Sequence, residues 1–171
     1  MGGSIKNLRP TYGKFQQGYY TIQKLEKYIG NPLKCIYRSS WERCFMVWAD
    51  LSDRVLKWSS EPFPIQYFSP IDKLMHNYNI DFFIRVTKDE HHQDYLVEVK
   101  PKHQMKKPSL PKPPKNSKSN TAKQIGVYNS QCKTYITNCA KWAAAKQFAE
   151  SRNMKFVVIT EDFLFGRNKA I

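Results

Sequence analysis

The first chemistry this sequence offers is an acid and a base spaced two residues apart. In Val97-Glu98-Val99-Lys100, strand geometry turns Glu98 and Lys100 to one face and both valines to the other. Upstream, Ile80, Phe82, Ile84 and Val86 alternate with Asn79, Asp81, Phe83 and Arg85, which puts Asp81 on the face opposite an apolar stripe. If the two segments pair as a hairpin, the right register sets Asp81 beside Glu98, with Lys100 close by. Two converging carboxylates repel each other, and a divalent cation relieves that repulsion. Hard oxygen donors with an open position suit magnesium or manganese. Such an ion polarises a phosphodiester and lowers the pKa of a bound water, while a nearby ammonium positions the nucleophile or stabilises phosphorane charge. Glu42, in Ser39-Ser40-Trp41-Glu42, is a third carboxylate able to complete or orient the metal shell. The candidate metal ligands are thus Asp81, Glu98 and Glu42, and the candidate catalytic set adds Lys100.

Each of these residues also has a plainer reading. Ser39-x-x-Glu42 is a capping box, in which Glu42 only satisfies a backbone N–H. Glu98 and Lys100 alone describe a solvated strand face, and Asp81 alone a surface acid. Glu61, in Ser60-Glu61-Pro62, either approaches the same site or ends a strand. What favours the chemical reading is the order of the parts: acid-bearing strand, turn and E-x-K strand, in a strongly basic chain. His91-His92, set among Lys88, Asp89, Glu90 and Asp94, reads as a solvated hairpin turn rather than a metal site. Cys35, Cys44, Cys132 and Cys139 are too far apart for C-x-x-C zinc knuckles and read as reduced, buried or half-buried thiols.

The elements that must position these residues follow from periodicity. The 171 residues suit one domain with a substantial core, and 41 % hydrophobic with 14 % aromatic residues exclude wholesale disorder. Residues 1–18 lack periodicity and read as a flexible arm, leaving 19–171 as the domain. A short helix is predicted over Thr21–Ile29, stopped by Gly30-Asn31-Pro32, and a stronger one from Ser39 to about Asp50 with Trp41, Phe45, Trp48 and Ala49 on one face. Strands are predicted over Val55–Glu61 and Ile65–Ser69, a turn over 70–77, then strands Tyr78–Thr87 and Asp94–Lys100. A long, interrupted helical region runs from about Asn120 to Arg152. Within it Tyr128, Tyr135, Trp142 and Phe148 read as core contacts. Asn153 stops it before a strand Met154–Thr160. This plan is α/β, a mixed central sheet flanked by helices.

Charge identifies the class of partner. Lys and Arg number 28 against 14 acids, a formal +14, so a polyanion is the natural ligand and double-stranded DNA fits best. A membrane surface is the competing partner, but no amphipathic anchor, spanning run or signal-peptide core is evident. Residues 101–118 carry five prolines and six lysines and read as an extended cationic linker. Its Lys102, Lys106, Lys107 and Lys112 are candidate nucleic-acid contacts, and Lys133, Lys141 and Lys146 on the long helix could also meet phosphates.

Together these residues resemble a known family. Tyr37-Arg38-Ser39-Ser40-Trp41-Glu42, Trp58-Ser59-Ser60-Glu61-Pro62, Asp81, Val97-Glu98-Val99-Lys100-Pro101-Lys102, Lys141-Trp142-Ala143-Ala144-Ala145 and the run Lys155–Asp162 follow the head completion nucleases of T-even bacteriophages, in order, across roughly Ile22–Phe165. More distantly, the chain is similar to TnsA-type transposon end-cleaving nucleases, which share the helix Glu, the Asp and the V-E-V-K strand. The resemblance implies a restriction-endonuclease-like, PD-(D/E)xK core and a magnesium-dependent DNA hydrolase with Glu42, Asp81, Glu98 and Lys100 as its catalytic residues. It also implies that packaged DNA ends are processed and head–tail joining enabled in the head–neck region of a virion assembled in the host cytoplasm. Phage portal or neck proteins would be the partners. Two other readings stay open: a neck- or portal-binding structural protein that keeps the nuclease fold, and a transposon end-cleaving endonuclease.

Overall fold

The computed structural model describes residues 17–88, 91–110 and 119–166. Most of the arm expected over 1–18 lies outside these residues, as do 111–118 of the linker. Gly18–Tyr19 forms a short strand, β1, antiparallel to β2 (Ile36–Tyr37). A side chain at Gly18 would meet the Tyr37 hydroxyl at 2.6 Å, so glycine suits this close crossing.

Helix α1 (Ser40–Leu51) begins where Ser39, itself extended, accepts the Glu42 N–H on its hydroxyl. Its inner face buries Phe45, Met46 and Ala49 completely. Next come β3 (Val55–Ser60), β4 (Pro64–Phe68), β5 (Met75–Asn79), β6 (Phe82–Lys88) and β7 (His91–Val99). Helix α2 (Ser119–Glu150), β8 (Lys155–Ile159) and α3 (Glu161–Phe165) complete the chain. The main sheet has the order β3-β6-β7-β8, with β8 parallel to β7 and the other pairs antiparallel. It is a mixed sheet flanked by helices, as the sequence predicts.

The sheet separates two apolar clusters. On one face Phe45, Trp48, Trp58, Phe82, Ile84, Val97 and Val99 pack under α1. On the other Ile65, Tyr67, Tyr78, Ile80 and Leu96 meet Ala145 and Ala149 of α2. Fully burying one large side chain such as Phe45 or Trp58 contributes roughly 1.5–3 kcal/mol. Alanines on the inner face of α2 let its last turns approach the sheet closely.

Several elements depart from the periodicity. The helix expected over Thr21–Ile29 is only a 3-10 turn, Leu25–Lys27. Asp50, fully buried, accepts the Gln23 and Lys24 N–H groups at 2.7 and 3.1 Å, and Ile29 N–H goes to Trp58 O, so tertiary partners consume the donors a helix would need. The turn expected over 70–77 already contains the start of β5. The single strand Tyr78–Thr87 is two strands, because β5 pairs with β4 whereas β6 pairs with β3 and β7. At that break Ile80 leaves the Phe82/Ile84/Val86 stripe for the other cluster. His91 and His92 open β7 opposite Lys88 and Thr87, as strand residues rather than turn residues. Helix α2 is uninterrupted for 32 residues and ends before Asn153, whose φ of 55° is the left-handed conformation that asparagine tolerates. Of its aromatics only Phe148 packs against a core cluster; Tyr128, Tyr135 and Trp142 are half-buried. After Pro101 the chain makes a 3-10 turn, Lys102–Met105, rather than running fully extended. Among the described residues the four cysteines form no disulfide; Cys35 and Cys44 are buried and Cys139 is exposed.

Candidate active site

Strand pairing builds the centre of the site. Phe82 pairs with Val97, so Asp81 and Glu98 stand next to each other at the end of the β6–β7 ladder. The Asp81 carboxylate accepts the Val99 N–H at 2.8 Å, fixing it against the E-x-K strand. Lys100, whose N–H is held by Ile159 O, places Nζ 2.8 Å from Glu98 Oε1 and 3.9 Å from Asp81 Oδ2. Glu98 is only 2 % exposed, and its other oxygen accepts the Tyr78 hydroxyl.

Glu42 arrives from α1, where its carboxylate serves the helix start. Its carboxylate accepts Ser39 Oγ at 2.9 Å and the Arg38 N–H at 2.7 Å, so the capping box is real. The charges of Lys100 and Glu61 also act on it, so it stands within electrostatic reach of the same cluster. Glu61 joins as well. Its φ of 44° is strained for a residue with a side chain, its N–H donates to Asp81 O, and its carboxylate takes both Nε and Nη2 of Arg38.

The electrostatics follow from burial. Asp81 is pushed well above the usual carboxylate range, first by burial and then by the Glu98 charge, with Lys100 opposing. Burial likewise raises Glu42 despite its hydrogen bonds and Lys100. Burial pulls the Lys100 ammonium down, but Asp81, Glu98 and Glu42 outweigh it, and its pKa ends above the ordinary lysine value. The phenol of Tyr78 is raised by burial and by Glu98.

The structure therefore brings Glu42, Asp81, Glu98 and Lys100 to one cluster. Of the linker lysines, only Lys102 forms an ion pair among the described residues. Lys102 is bound to Asp162 through Nζ at 2.5 Å and to Glu161 through its N–H; Lys106 and Lys107 are exposed, and Lys112 lies outside the described residues. Sequence reasoning missed Tyr78, which stood inside a strand whose break was invisible, and gave Arg38 no role of its own. Among the described residues no three His, Cys, Asp or Glu side chains converge at metal-ligand spacing. Nor is any of their helices long and apolar enough to cross a membrane.

A mixed sheet that presents Asp81, Glu98 and Lys100 at the end of an antiparallel pair, with a helix carboxylate beside them, is the arrangement of a restriction-endonuclease-like nuclease. Comparison with known proteins agrees. Residues 52–161 match the family model described as TnsA-like endonuclease N terminal. Over 147 residues the chain is 33 % identical to the head completion nuclease of Enterobacteria phage T4, covering 86 % of this chain and 92 % of that protein. The chain belongs to the TnsA-like endonucleases, within the head completion nuclease family. No solved structure matches it.

Proposed function

We propose that this chain is a magnesium-dependent deoxyribonuclease of phage head completion, which processes the ends of packaged double-stranded DNA. The observation that carries this reading is the placement of Lys100 Nζ against both Glu98 and Asp81. Around it, among the described residues, the cations acting on Glu42, Glu61, Asp81 and Glu98 are Arg38 and Lys100. Fully ionised, such a cluster repels a phosphodiester until a divalent cation offsets the excess. Two adjacent carboxylates fit magnesium, which binds through one or two carboxylates while retaining waters and substrate phosphate oxygens. Manganese accepts the same donors. Asp81 and Glu98 would hold the ion, and Glu42, fixed in its cap, would orient the shell. Such an ion supplies Lewis-acid polarisation of the phosphodiester and a water acidified toward hydroxide.

This chain's own groups do the rest. Because its carboxylate neighbours keep Lys100 protonated, Lys100 acts as a cation toward developing phosphorane charge, not as a general base. The Tyr78 hydroxyl and the Lys100 ammonium grip opposite oxygens of Glu98 and fix its orientation. Lys106, Lys107 and Lys112 would follow the DNA backbone. Lys102 is the weakest member of that set, since its ammonium already faces Asp162. The relative's name supports a role in head completion; a place in the head–neck region of the virion, with portal or neck proteins as partners, extends this proposal.

The test is plasmid cleavage with magnesium, with manganese and with chelator, comparing wild type with Glu98→Gln. Metal-dependent nicking or degradation that the variant loses is the expected result. An intact plasmid under every condition, despite tight binding of duplex DNA, would replace this reading with a neck-binding structural role.

A further inference from the structure

Helix α2 carries Lys123, Lys133, Lys141 and Lys146, and its only carboxylate is its last residue, Glu150. Lys146 lies on the far side from the core, 3.9 Å from Glu150. Lys141 is placed differently. Its Nζ sits 5.6 Å from the ring centroid of Tyr67 and 5.4 Å from that of Tyr78, and the residue is half-buried. No acid among the described residues pairs with it. Tyrosine faces attract an ammonium without neutralising it, so a full positive charge is held in place with no counter-ion. The seat itself is braced: His76 stacks against the Tyr67 ring at 5.9 Å and is held by Asp72 at 2.7 Å.

The position of this cation gives it meaning. The hydroxyl of Tyr78 donates to Glu98, so one phenol ring separates Lys141 from the carboxylate cluster. A DNA strand running past Lys100 presents a phosphate for each roughly 3.4 Å of helix axis, so neighbouring phosphates pass close to the cluster. We propose that Lys141, seated on Tyr67 and Tyr78, binds a DNA backbone phosphate that neighbours the one cut at Asp81, Glu98 and Lys100. The proposal rests on the nuclease reading and deepens it. The neighbouring phosphate undergoes no bond change, so Lys141 binds ground state and transition state alike. Such uniform binding appears in KM and not in kcat. The aromatic seat also limits the rotamers the lysine must lose on binding.

The experiment measures duplex-DNA affinity in chelator across a salt series, together with steady-state cleavage in magnesium. Lys141→Met keeps the aliphatic stem on the rings, Lys141→Arg keeps the charge, and Lys155→Gln, at the end of β8 away from Lys100, is the control. The expected Lys141→Met result is about fivefold to tenfold weaker binding, a salt slope smaller by about 0.9, and a raised KM with kcat within about twofold. Lys141→Arg should retain most of the affinity, and Lys155→Gln should match wild type. Unchanged affinity and slope in Lys141→Met, while wild type cleaves, would overturn the phosphate site and leave the nuclease reading standing. Conversely, weaker binding by Lys141→Met in a wild-type background that never cleaves would sustain the site and sink the nuclease reading.

Discussion

Asp81→Asn should abolish cleavage and at the same time stabilise the metal-free protein. The Asp81 side chain is 18 % exposed and stands against Glu98, with Lys100 at 3.9 Å and the Val99 N–H at 2.8 Å favouring its charged form. Asparagine can still accept the Val99 N–H and removes the repulsion. Relief of a destabilised functional residue is commonly worth about 0.5–2 kcal/mol. In a chain of this size each kcal/mol moves Tm by about 2–4 °C, so a rise of a few degrees is expected. The pH dependence fixes the cause. The folded state holds the Asp81 proton more tightly than the unfolded chain, so wild type loses stability as pH rises from the ordinary Asp value, about 3.9, up to the raised folded value. The advantage of the variant should therefore be complete above the raised folded value and vanish in acid, where the carboxyl is neutral in both states. Added magnesium should reverse the order, since an ion present at a hundredfold its Kd stabilises wild type by about 2.7 kcal/mol. Thermal melts in chelator from pH 4 to 8, repeated with magnesium, make the measurement. A variant that melts below wild type in chelator at neutral pH, or a gap that persists in acid, would refute the reasoning.

Lys100→Ala should eliminate cleavage and also leave the nearly buried Glu98 carboxylate without its cation, costing about 3 kcal/mol in a denaturant titration. Unaltered stability would mean that the Lys100–Glu98 ion pair contributes nothing to the fold. Asp50→Asn weakens the acceptor of Tyr20 Oη, Gln23 N–H and Lys24 N–H, and a loss of about 2–3 kcal/mol with faster proteolysis before β2 is expected. Resistance of that segment to protease would show that Asp50 is not what pins it. Lys106→Gln combined with Lys107→Gln should lower the salt slope of DNA binding by about two without changing kcat; an unchanged slope would remove these lysines from the interface.

The candidate site was more legible than the chain that carries it. Alternation of period two around Asp81 and Glu98 fixed which face each occupies, and the Phe82–Val97 pairing set them side by side. What periodicity could not carry was a change of partner. Ile80, Phe82, Ile84 and Val86 read as one stripe, yet the chain passes from the β4–β5 hairpin to the main sheet at Asp81, and no Gly or Pro marks the crossing. The Thr21–Ile29 segment fails for a related reason. Its backbone donors are satisfied by Asp50 and Trp58, distant in sequence, and local propensity is overridden. Glu61 was undecidable from its neighbours, because its bidentate grip on Arg38 depends on the left-handed turn it adopts.

The change of partner at Asp81 also explains why the site lies where it does. On β7, Val97 and Val99 face the cluster under α1, while Leu96 and Glu98 face the cluster under α2. Glu98 thus takes a core position on the second face, where an uncompensated carboxylate would be costly. Its compensation comes from Lys100 on its own strand and from Tyr78, which reaches it only because β5 has left the main sheet to pair with β4. The hairpin is therefore part of the site, and Lys141 ties α2 to the same tyrosine. The cluster under α1 has no such link beyond the Glu42 cap. Shortening Phe45 there should cost stability alone, whereas removing the Tyr78 hydroxyl should alter the orientation of Glu98 in a protein that still folds.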